Sequence, residues 1–168
     1  MTPVIRPGHE SDLAALTDIY NHYVINTPIT FDLFPFTVEQ RREWFVEHAG
    51  HGRHRLLVAE ETGAVVGYAT TSRFRVKAAY DTTVESSIYC RADCVRRGIG
   101  TALYLELFDL LKGEDINRIV AGITLPNPAS TALHERCGFR NVGALSSVGR
   151  KFDTYWDVAW FERPLLAR

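Results

Sequence analysis

Two side chains that could carry protons stand out by their positions in this sequence. Glu85 is the one acidic residue in the stretch Thr83–Cys90, and His134 lies in a segment with the composition of a helix. Burial raises the pKa of a carboxyl group, and a raised pKa suits a carboxylate that accepts a proton near neutral pH. A strand glutamate can equally face solvent, and a lone helical histidine is usually an ordinary core or surface residue. Both residues therefore remain open to a catalytic and a structural interpretation.

The element that carries Glu85 leads into a turn and a helix. Thr83–Cys90 is a run of residues without Gly or Pro that includes several β-formers, which predicts a strand. From Ile99 to Lys112 the residues favour a helix that is apolar on most sides and therefore buried. The first N–H groups of a helix have no partners within it, and its dipole is positive there. A strand, a tight turn and a helix N-terminus together predict a site for an anion.

The turn itself has the composition of a phosphate-binding loop. Gly98 and Gly100 would let a phosphate approach the backbone without a Cβ in the way. Arg96 and Arg97 place positive charge beside them. On this interpretation, a larger residue at Gly100 should weaken anion binding at little cost to folding.

Two common phosphate motifs do not fit this turn. A P-loop requires Lys and Ser/Thr after its second glycine, but Thr101-Ala102 follows here. A dinucleotide fingerprint requires a third glycine where this chain has Leu103. A phosphate loop of another kind and a plain strand-to-helix turn with incidental arginines remain open.

Histidine and cysteine residues raise the question of a metal site. His48, His51 and His54 lie close together in what reads as a solvated loop, but their spacing suits no helical site. Cys90 and Cys94 lack an evident further ligand nearby, and ordinary buried thiols explain them better. We therefore expect no metal.

Length and charge limit the class of protein. A chain of 168 residues is long enough for one domain with a substantial core, and its net charge of −1 suggests neither a nucleic-acid nor an anionic-membrane partner. Three cysteines without a scaffold-like spacing favour a reducing compartment. With no signal peptide or apolar run long enough to span a membrane, the expectation is a cytoplasmic protein.

The order of predicted elements indicates the fold class. Helix starts are marked by a capping box at Thr37–Gln40 and by Asn127 followed by Pro128, and Gly138 marks a helix end. The full order reads β α α β β β α β α β β, with the last two strands over Phe139–Gly149 and Tyr155–Arg163. Such alternation predicts an α/β protein with a mixed sheet and helices on both faces.

Two motifs resemble those of the GNAT (Gcn5-related) N-acetyltransferases. The glycine turn is similar to their pyrophosphate loop, Gln/Arg-x-x-Gly-x-Gly/Ala, with Val95 as a departure at the first position. The segment Asn127–Phe139 is similar to their Asn-x-x-Ala/Ser pattern, which continues to a tyrosine and then Gly-Phe. His134 stands at the tyrosine position, as it does in the phosphinothricin acetyltransferase-like subfamily. Other segments resemble this subfamily in the same order: Tyr20–Tyr23, Ala79–Asp81 with Thr83–Ser86, Gly122–Asn127 and Trp156–Val158.

The resemblance covers nearly the whole chain and implies one GNAT domain over residues 1–168, with a mostly antiparallel central sheet flanked by helices. It implies acetyl-CoA as co-substrate, Glu85 as general base, and His134 as acid or partner of the leaving thiolate. Backbone at Ile88–Cys90 would bind the pantetheine arm like an added strand, and a bulge there would free an N–H for the thioester oxygen. The implied acetyl-CoA contacts are Ile88, Tyr89, Cys90, Arg96, Arg97, Gly98, Ile99, Gly100, Thr101, Asn127 and Ser130.

The implied acceptor is a small amino-acid-like amine of the phosphinothricin, methionine sulfoximine or methionine sulfone type. Its expected contacts are Phe31, Arg75, Lys77 and Tyr80, the basic residues serving a carboxylate or phosphinate. The stretch Phe31–Pro35 lacks the Arg and Glu of the herbicide-resistance enzymes, which is a departure from that subfamily. Alternatives are a GNAT that acetylates a protein N-terminus or a polyamine, and a non-catalytic acyl-CoA-binding module. The subfamily and the aromatic strand Tyr155–Phe161 also predict a homodimer, since that strand would otherwise be an exposed apolar edge.

Overall fold

One seven-stranded sheet, in the order β1-β2-β3-β4-β5-β7-β6, forms the centre of the molecule. The computed structural model describes residues 3–48, 50–94 and 97–165. The strands are β1 (Val4–Pro7), β2 (Leu56–Glu61), β3 (Ala64–Arg73), β4 (Thr83–Cys90), β5 (Arg118–Leu125), β6 (Arg140–Lys151) and β7 (Thr154–Pro164). The helices are α1 (Leu13–Asn26), α2 (Val38–Val46), α3 (Ile99–Leu111) and α4 (Pro128–Arg136), with short 3-10 turns between elements. The predicted α/β fold class and element order are confirmed.

The sheet is covered on both faces, which explains the continuous apolar run at the start of β2. Leu57 and Ala59 face the large core formed with α3, whereas Leu56 and Val58 pack with α1 on the opposite face. Successive residues of a strand point to opposite faces, so a strand buried on both sides needs apolar residues at every position. Helix α3 buries six of its residues, as its composition predicted.

The sheet opens between β4 and β5. These two strands run parallel, and their ladder has three residue pairs, from Thr83–Arg118 to Glu85–Val120. Residues 86–90 and 121–125 all lie in the described part of the chain, and no further pair joins them. On their outer sides β4 stays paired with β3 and β5 with β7 along their lengths. The two strands therefore diverge after Glu85 and leave a V-shaped gap in the middle of the sheet.

Local signals in the sequence fix the ends of the helices. The Thr37 hydroxyl accepts from the Gln40 N–H and the Gln40 side chain accepts from the Thr37 N–H, which completes the predicted capping box. The Asn127 side chain accepts from the Ser130 N–H ahead of Pro128, and Gly138 ends α4 with φ +82°. These starts and stops are confirmed because each depends on residues within a few positions of one another.

Two expectations about strands are wrong. Strand β7 is not an exposed edge, because it lies between β5 and β6. The edge strand at this end of the sheet is β6, whose residues 140–148 are all exposed. The register of β3 with β4 runs without a shift from Gly67–Cys90 to Arg73–Val84, residues that are all described, so β4 contains no bulge there. Divergence from β5 takes over the role expected of a bulge, since it leaves backbone groups of β4 without a strand partner.

Candidate active site

The gap between β4 and β5 brings the two predicted proton carriers to one cleft. Its lining includes Glu85 from β4, His134 from α4, Tyr104 from α3 and Ile29 from the connection between α1 and α2. Backbone and side chains of Ser86–Tyr89 and Ala121–Thr124 form the two walls. A reacting group in this cleft would meet strand backbone on both sides and ionisable side chains from three elements.

Glu85 is half-buried at the point where the two strands separate. Burial raises the pKa of its carboxyl group above the ordinary value of 4.5, and the positive charge of Arg75 opposes that rise. A carboxylate with a raised pKa is a stronger proton acceptor than one in water. The predicted environment of Glu85 is therefore present.

His134 is buried, with 3% of its surface exposed, and both ring nitrogens have partners. Its Nδ1 lies 2.8 Å from the Ser130 carbonyl oxygen, and since a carbonyl can only accept, Nδ1 carries the proton. Its Nε2 lies 2.8 Å from the Tyr104 hydroxyl, which must then donate to it. Burial also lowers the pKa of His134 below its ordinary value. The ring is therefore held neutral, with its acceptor nitrogen occupied by Tyr104.

Tyr104 extends this network to the strand that carries Glu85. Its hydroxyl oxygen lies 3.3 Å from the Ser86 Oγ, and burial raises its pKa. Sequence reasoning missed Tyr104 because it lies among the apolar positions of α3, where an aromatic residue reads as core. The polar partner that distinguishes it, His134, is 30 residues away in the chain.

Backbone of β4 beyond Glu85 faces the gap, as the acetyl-CoA prediction for Ile88–Cys90 requires. The Thr82 carbonyl accepts from backbone N–H groups at the start of β5, so alternate residues after it, including Ile88 and Cys90, direct their peptide groups toward β5. The Cys90 carbonyl already accepts from the Tyr23 hydroxyl at 2.5 Å. The Tyr89 ring lies on the face of the sheet that α1 covers, where it packs edge-on against Tyr20.

The two glycines at the N-terminus of α3 have different surroundings. Gly98 precedes the helix with φ +79°, and a Cβ there would have no heavy atom of the described residues within 4 Å. A Cβ at Gly100 would lie 2.8 Å from Leu133 Cδ2 and 3.4 Å from Ile88 Cδ1. Gly98 therefore supplies the left-handed turn in front of the helix, whereas Gly100 allows α3 to pack closely on α4. A Cβ at Gly100 would meet the end of the flexible Leu133 side chain, which can shift, so the expectation that a larger residue there costs the fold little stays a prediction.

The other predicted contacts at this end of the cleft are placed as follows. Arg97 forms an ion pair with Glu61 at 2.9 Å, and Arg96 lies outside the described residues. Ile99 is buried in the core, and Thr101 is half-buried in the first turn of α3. Asn127 and Ser130 are in the cleft lining, with the Asn127 oxygen engaged as a helix cap.

The predicted acceptor contacts are dispersed. Phe31 is not part of the cleft lining, because its ring fills the space in front of Gly149 on β6. Arg75, Lys77 and Tyr80 are exposed, and the Arg75 guanidinium carbon lies 4.9 Å from the centre of the Phe74 ring. Among them, Arg75 is the residue whose charge acts on Glu85.

The histidine and cysteine residues have structural surroundings. His48 is buried rather than solvated, with Nδ1 2.6 Å from the Trp44 carbonyl oxygen and Nε2 2.9 Å from the Ser72 hydroxyl. Burial raises the pKa of Cys90 to about 11, which disfavours a nucleophilic thiolate. In residues 3–48, 50–94 and 97–165, no group of three His, Cys, Asp or Glu side chains is placed to hold a metal ion. In those ranges no helix is long and apolar enough to cross a membrane.

Comparison with known proteins identifies the fold and the family. Residues 16–139 match the acetyltransferase (GNAT) family. The chain belongs to the GNAT family. It is therefore an acyltransferase with the fold that its motifs predicted, and the resemblance to the phosphinothricin acetyltransferase-like subfamily is confirmed by its relatives.

Three relatives of this GNAT protein indicate its subfamily. A phosphinothricin N-acetyltransferase of Streptomyces coelicolor is 55% identical over 163 residues, which are 96% of this chain and 95% of the relative. An L-methionine sulfoximine/L-methionine sulfone acetyltransferase of Pseudomonas aeruginosa is 32% identical, over 96% of this chain and 94% of the relative. The crystal structure of a phosphinothricin acetyltransferase from Sinorhizobium meliloti in complex with AcCoA has a TM-score of 0.92 and 34% identity, covering 98% of this chain and 89% of that one.

The packing role of Gly100 can be tested by adding one methyl group. Gly100→Ala should change the free energy of unfolding by no more than about 1 kcal/mol, because the new Cβ displaces only the end of the Leu133 side chain and alanine favours the helix over glycine. Chemical denaturation measures the change. Gly113→Ala is the control, since a Cβ there meets no atom of the described residues within 4 Å. A loss of more than about 2 kcal/mol in Gly100→Ala alone would show that Leu133 cannot move aside.

Proposed function

We propose that this GNAT protein transfers the acetyl group of acetyl-CoA to the amino group of a small amino-acid-like substrate of the phosphinothricin, methionine sulfoximine or methionine sulfone type. The observation that carries the proposal is the half-buried Glu85, with its raised pKa, at the point where β4 and β5 diverge. The substrate class is supported by the names of the relatives at 55% and 32% identity.

The residues present fit acetyl-CoA as co-substrate. A left-handed Gly98 in front of α3, with no heavy atom of the described residues near a Cβ there, suits a pyrophosphate at the helix N-terminus. Beyond Glu85 the β4 backbone lacks a β5 partner, so it can hydrogen-bond the amides of a pantetheine arm laid along it. A backbone N–H in this stretch, with Ile88 as the candidate, can also stabilise charge on the thioester oxygen. Bound acetyl-CoA supplies the thioester whose C–S bond is exchanged for a C–N bond to the acceptor.

Glu85 accepts the proton that the acceptor nitrogen loses when it forms the C–N bond. An α-amino group is largely ammonium near neutral pH, so the amine must be deprotonated before or during attack. Glu85 takes this proton directly or through a water molecule, and the departing sulfur takes up one proton and leaves as the CoA thiol. Starting from the ammonium form, the nitrogen loses two protons in all: one ends on the CoA thiol and the other passes through Glu85 to solvent, so the enzyme ends as it began.

His134 supports the leaving thiolate together with Tyr104. A neutral ring whose Nδ1–H is held by Ser130 cannot itself act as a strong acid at neutral pH. Tyr104 lies in the cleft lining, and its hydroxyl donates its one proton to the His134 Nε2, so it can donate to a thiolate only by turning away from that nitrogen. His134 acts by holding the hydroxyl within reach of the cleft. The thiol of CoA is a fair leaving group, so this assistance contributes less than Glu85.

Arg75 is the candidate partner for an acceptor carboxylate or phosphinate. Its charge acts on Glu85, so an anion paired with it would lie beside the base. Lys77 and Tyr80 are exposed on the same connection and would border the entrance. The three free cysteines, Cys90, Cys94 and Cys137, support a reducing, cytoplasmic location.

We also propose a homodimer formed through the β6 edge. Residues 140–148 of this strand are exposed throughout, and Val142, Leu145 and Val148 each have about half of their surface in solvent. A long apolar edge strand left open is a site for unwanted strand pairing, and a second copy of the chain would cover it.

The substrate class is tested by a panel of amines with acetyl-CoA, read as release of free thiol. Methionine sulfone, methionine sulfoximine and phosphinothricin represent the proposed class, and spermidine and a short peptide represent the alternatives. We expect acetylation of at least one amino-acid-like amine to exceed that of the comparators. Turnover confined to the peptide or to spermidine would overturn the proposed class.

The role of Glu85 is tested by Glu85→Gln, which keeps size and hydrogen bonding but removes the proton acceptor. We expect kcat to fall by about 10²–10⁴-fold with little change in acetyl-CoA affinity. Because the base must be ionised, wild-type activity should fall as pH drops through the raised pKa of Glu85, and the variant should lose that step. His134→Asn should cost less. Full activity in Glu85→Gln would leave positioning as the main contribution of the enzyme.

The pH dependence of stability provides an independent test of the raised pKa of Glu85. A raised pKa means that the fold favours the protonated carboxyl, so its contribution is full below the unfolded pKa and is lost as pH rises through the folded pKa. Glu85→Gln should therefore melt at or above the wild-type temperature at pH 8, with the difference disappearing near pH 4. A large loss of stability at pH 8 would indicate a structural carboxylate.

The proposed dimer is tested by light scattering at micromolar concentration. We expect a mass of twice the chain mass of 19.0 kDa. Leu145→Lys should shift the protein to the monomer, because it places charge in the apolar edge, whereas Leu105→Lys, an exposed residue of α3, should not. A wild-type monomer would refute the proposal.

A further inference from the structure

The connection between α1 and α2, residues 27–37, contributes to the cleft through Ile29. This connection contains no regular secondary structure, so its position depends on contacts with other elements. At its far end, Asn21 of α1 exchanges two hydrogen bonds with the backbone of Phe36, at 2.8 and 2.9 Å. Near Ile29 the connection is held by contacts with the hairpin of β6 and β7.

Lys151 makes the first of these contacts. It is 3% exposed, and its Nζ donates to the Thr30 carbonyl oxygen at 2.8 Å, across 121 positions of the chain. The two-residue turn Phe152–Asp153 has φ of +53° and +55°, which is the geometry of a tight hairpin turn, and it pairs Lys151 with Thr154. Burial lowers the pKa of Lys151, and the charge of Asp32 opposes that change.

Tyr20 holds the same stretch from the helix side. Its hydroxyl lies 2.7 Å from the Thr30 Oγ1 and donates to the carboxylate of Asp32. The carbonyl and the side chain of Thr30 are thus both engaged, and Thr30 itself is 8% exposed. The residue next to Ile29 is therefore fixed from two directions.

Phe31 makes a second contact with the hairpin. Its ring occupies the space where a Cβ of Gly149 would lie, so even an alanine at that position would overlap it. The φ of Gly149 is outside the left-handed range, so the close approach of Phe31 is what requires glycine here. Phe31 thus seats the connection on β6, which agrees with its absence from the cleft lining.

We propose that Lys151 is a positioning residue for the acceptor. By holding the Thr30 carbonyl, it sets Ile29 as the apolar wall of the cleft on the Glu85 side, against which the acceptor side chain lies. Phe31 and Gly149 fix the same wall by packing. This inference rests on the proposed function, because it assumes that the acceptor occupies the cleft beside Glu85.

Lys151 should affect the KM values of the two substrates differently. The connection contacts the acceptor side of the cleft, whereas the expected acetyl-CoA contacts lie on α3, α4 and the β4 backbone. A change at Lys151 should therefore act on the acceptor KM and leave the acetyl-CoA KM alone. A lysine that served stability alone would not distinguish the two substrates.

The experiment compares Lys151→Met with Lys112→Met on the acceptor that the wild type uses best. Lys151→Met keeps the length of the side chain and removes the donor, and Lys112 is a control lysine that is exposed and pairs with Asp109 on the surface. We expect the acceptor KM of Lys151→Met to rise about tenfold, the scale of a small misplacement of a binding group. The acetyl-CoA KM of Lys151→Met, and both constants of Lys112→Met, should stay within about twofold of wild type.

Gly149→Ala tests the same wall without touching Lys151. It should displace Phe31 and raise the acceptor KM in the same way, and Gly149→Ala with Phe31→Leu should restore it, because the smaller side chain makes room for the methyl group. Melting temperatures of all variants identify any that fail to fold. If Lys151→Met does not fold, the Gly149 and Phe31 variants decide the question.

The outcomes are distinguishable. An unchanged acceptor KM in Lys151→Met or in Gly149→Ala, or an equal rise for both substrates, would overturn the positioning role while leaving the proposed function intact. A wild type that acetylates none of the amino-acid-like amines would overturn the proposed function, and this inference with it.

Discussion

The short parallel ladder between β4 and β5 is the constraint on which the rest of the site depends. Three residue pairs hold these strands together, and after Glu85 and Val120 they diverge. Strand β4 stays paired with β3, and β5 with β7, so neither strand can bend toward the other and close the gap. Backbone N–H and C=O groups are costly to leave without partners when buried, so a gap of this kind is stable where it stays open to solvent or to a ligand. The fold thus presents unpaired strand backbone to a ligand in the middle of the sheet rather than at an edge strand.

A buried polar network connects β4, α3 and α4 beside the gap. Ser86 on β4, Tyr104 on α3 and His134 on α4 are linked by contacts of 3.3 and 2.8 Å, and His134 continues to the Ser130 carbonyl. A buried hydrogen bond contributes about 1 kcal/mol net, whereas a buried polar group left unpaired costs about 1–3 kcal/mol. The network therefore fixes the relative positions of the strand and both helices more strictly than apolar packing would. It also explains why His134 is neutral, since each of its nitrogens has a single compatible role.

Features set by neighbours in sequence were predictable, and features set by pairing across the chain were not. The ends of β4 and α3, the capping box at Thr37 and the Gly138 stop follow from residues a few positions apart. The edge position of β6 and the opening beside Glu85 depend on which strands pair, which local patterns do not encode. The packing of Leu133 beside Gly100 was not predictable, because a glycine in a turn has the same appearance whether a ligand or a side chain lies next to it. The contact of Phe31 with Gly149 was not predictable for a similar reason, since the two residues are far apart in the chain.

The alternation of side chains along β4 divides the chemistry between two faces of the sheet. Glu85 and Tyr89 point to the face of α1, where Tyr89 packs against Tyr20, and Ser86 points to the face of α3, toward Tyr104. Glu85, the proposed base, and the network that includes His134 are therefore on opposite sides of a single strand, although Glu85 and Ser86 are adjacent in sequence. In a continuous sheet, paired backbone would separate these two faces. They can act on one reacting centre because the sheet is open at that point, so the divergence of β4 and β5 is what allows an amine and a thioester to meet through the sheet.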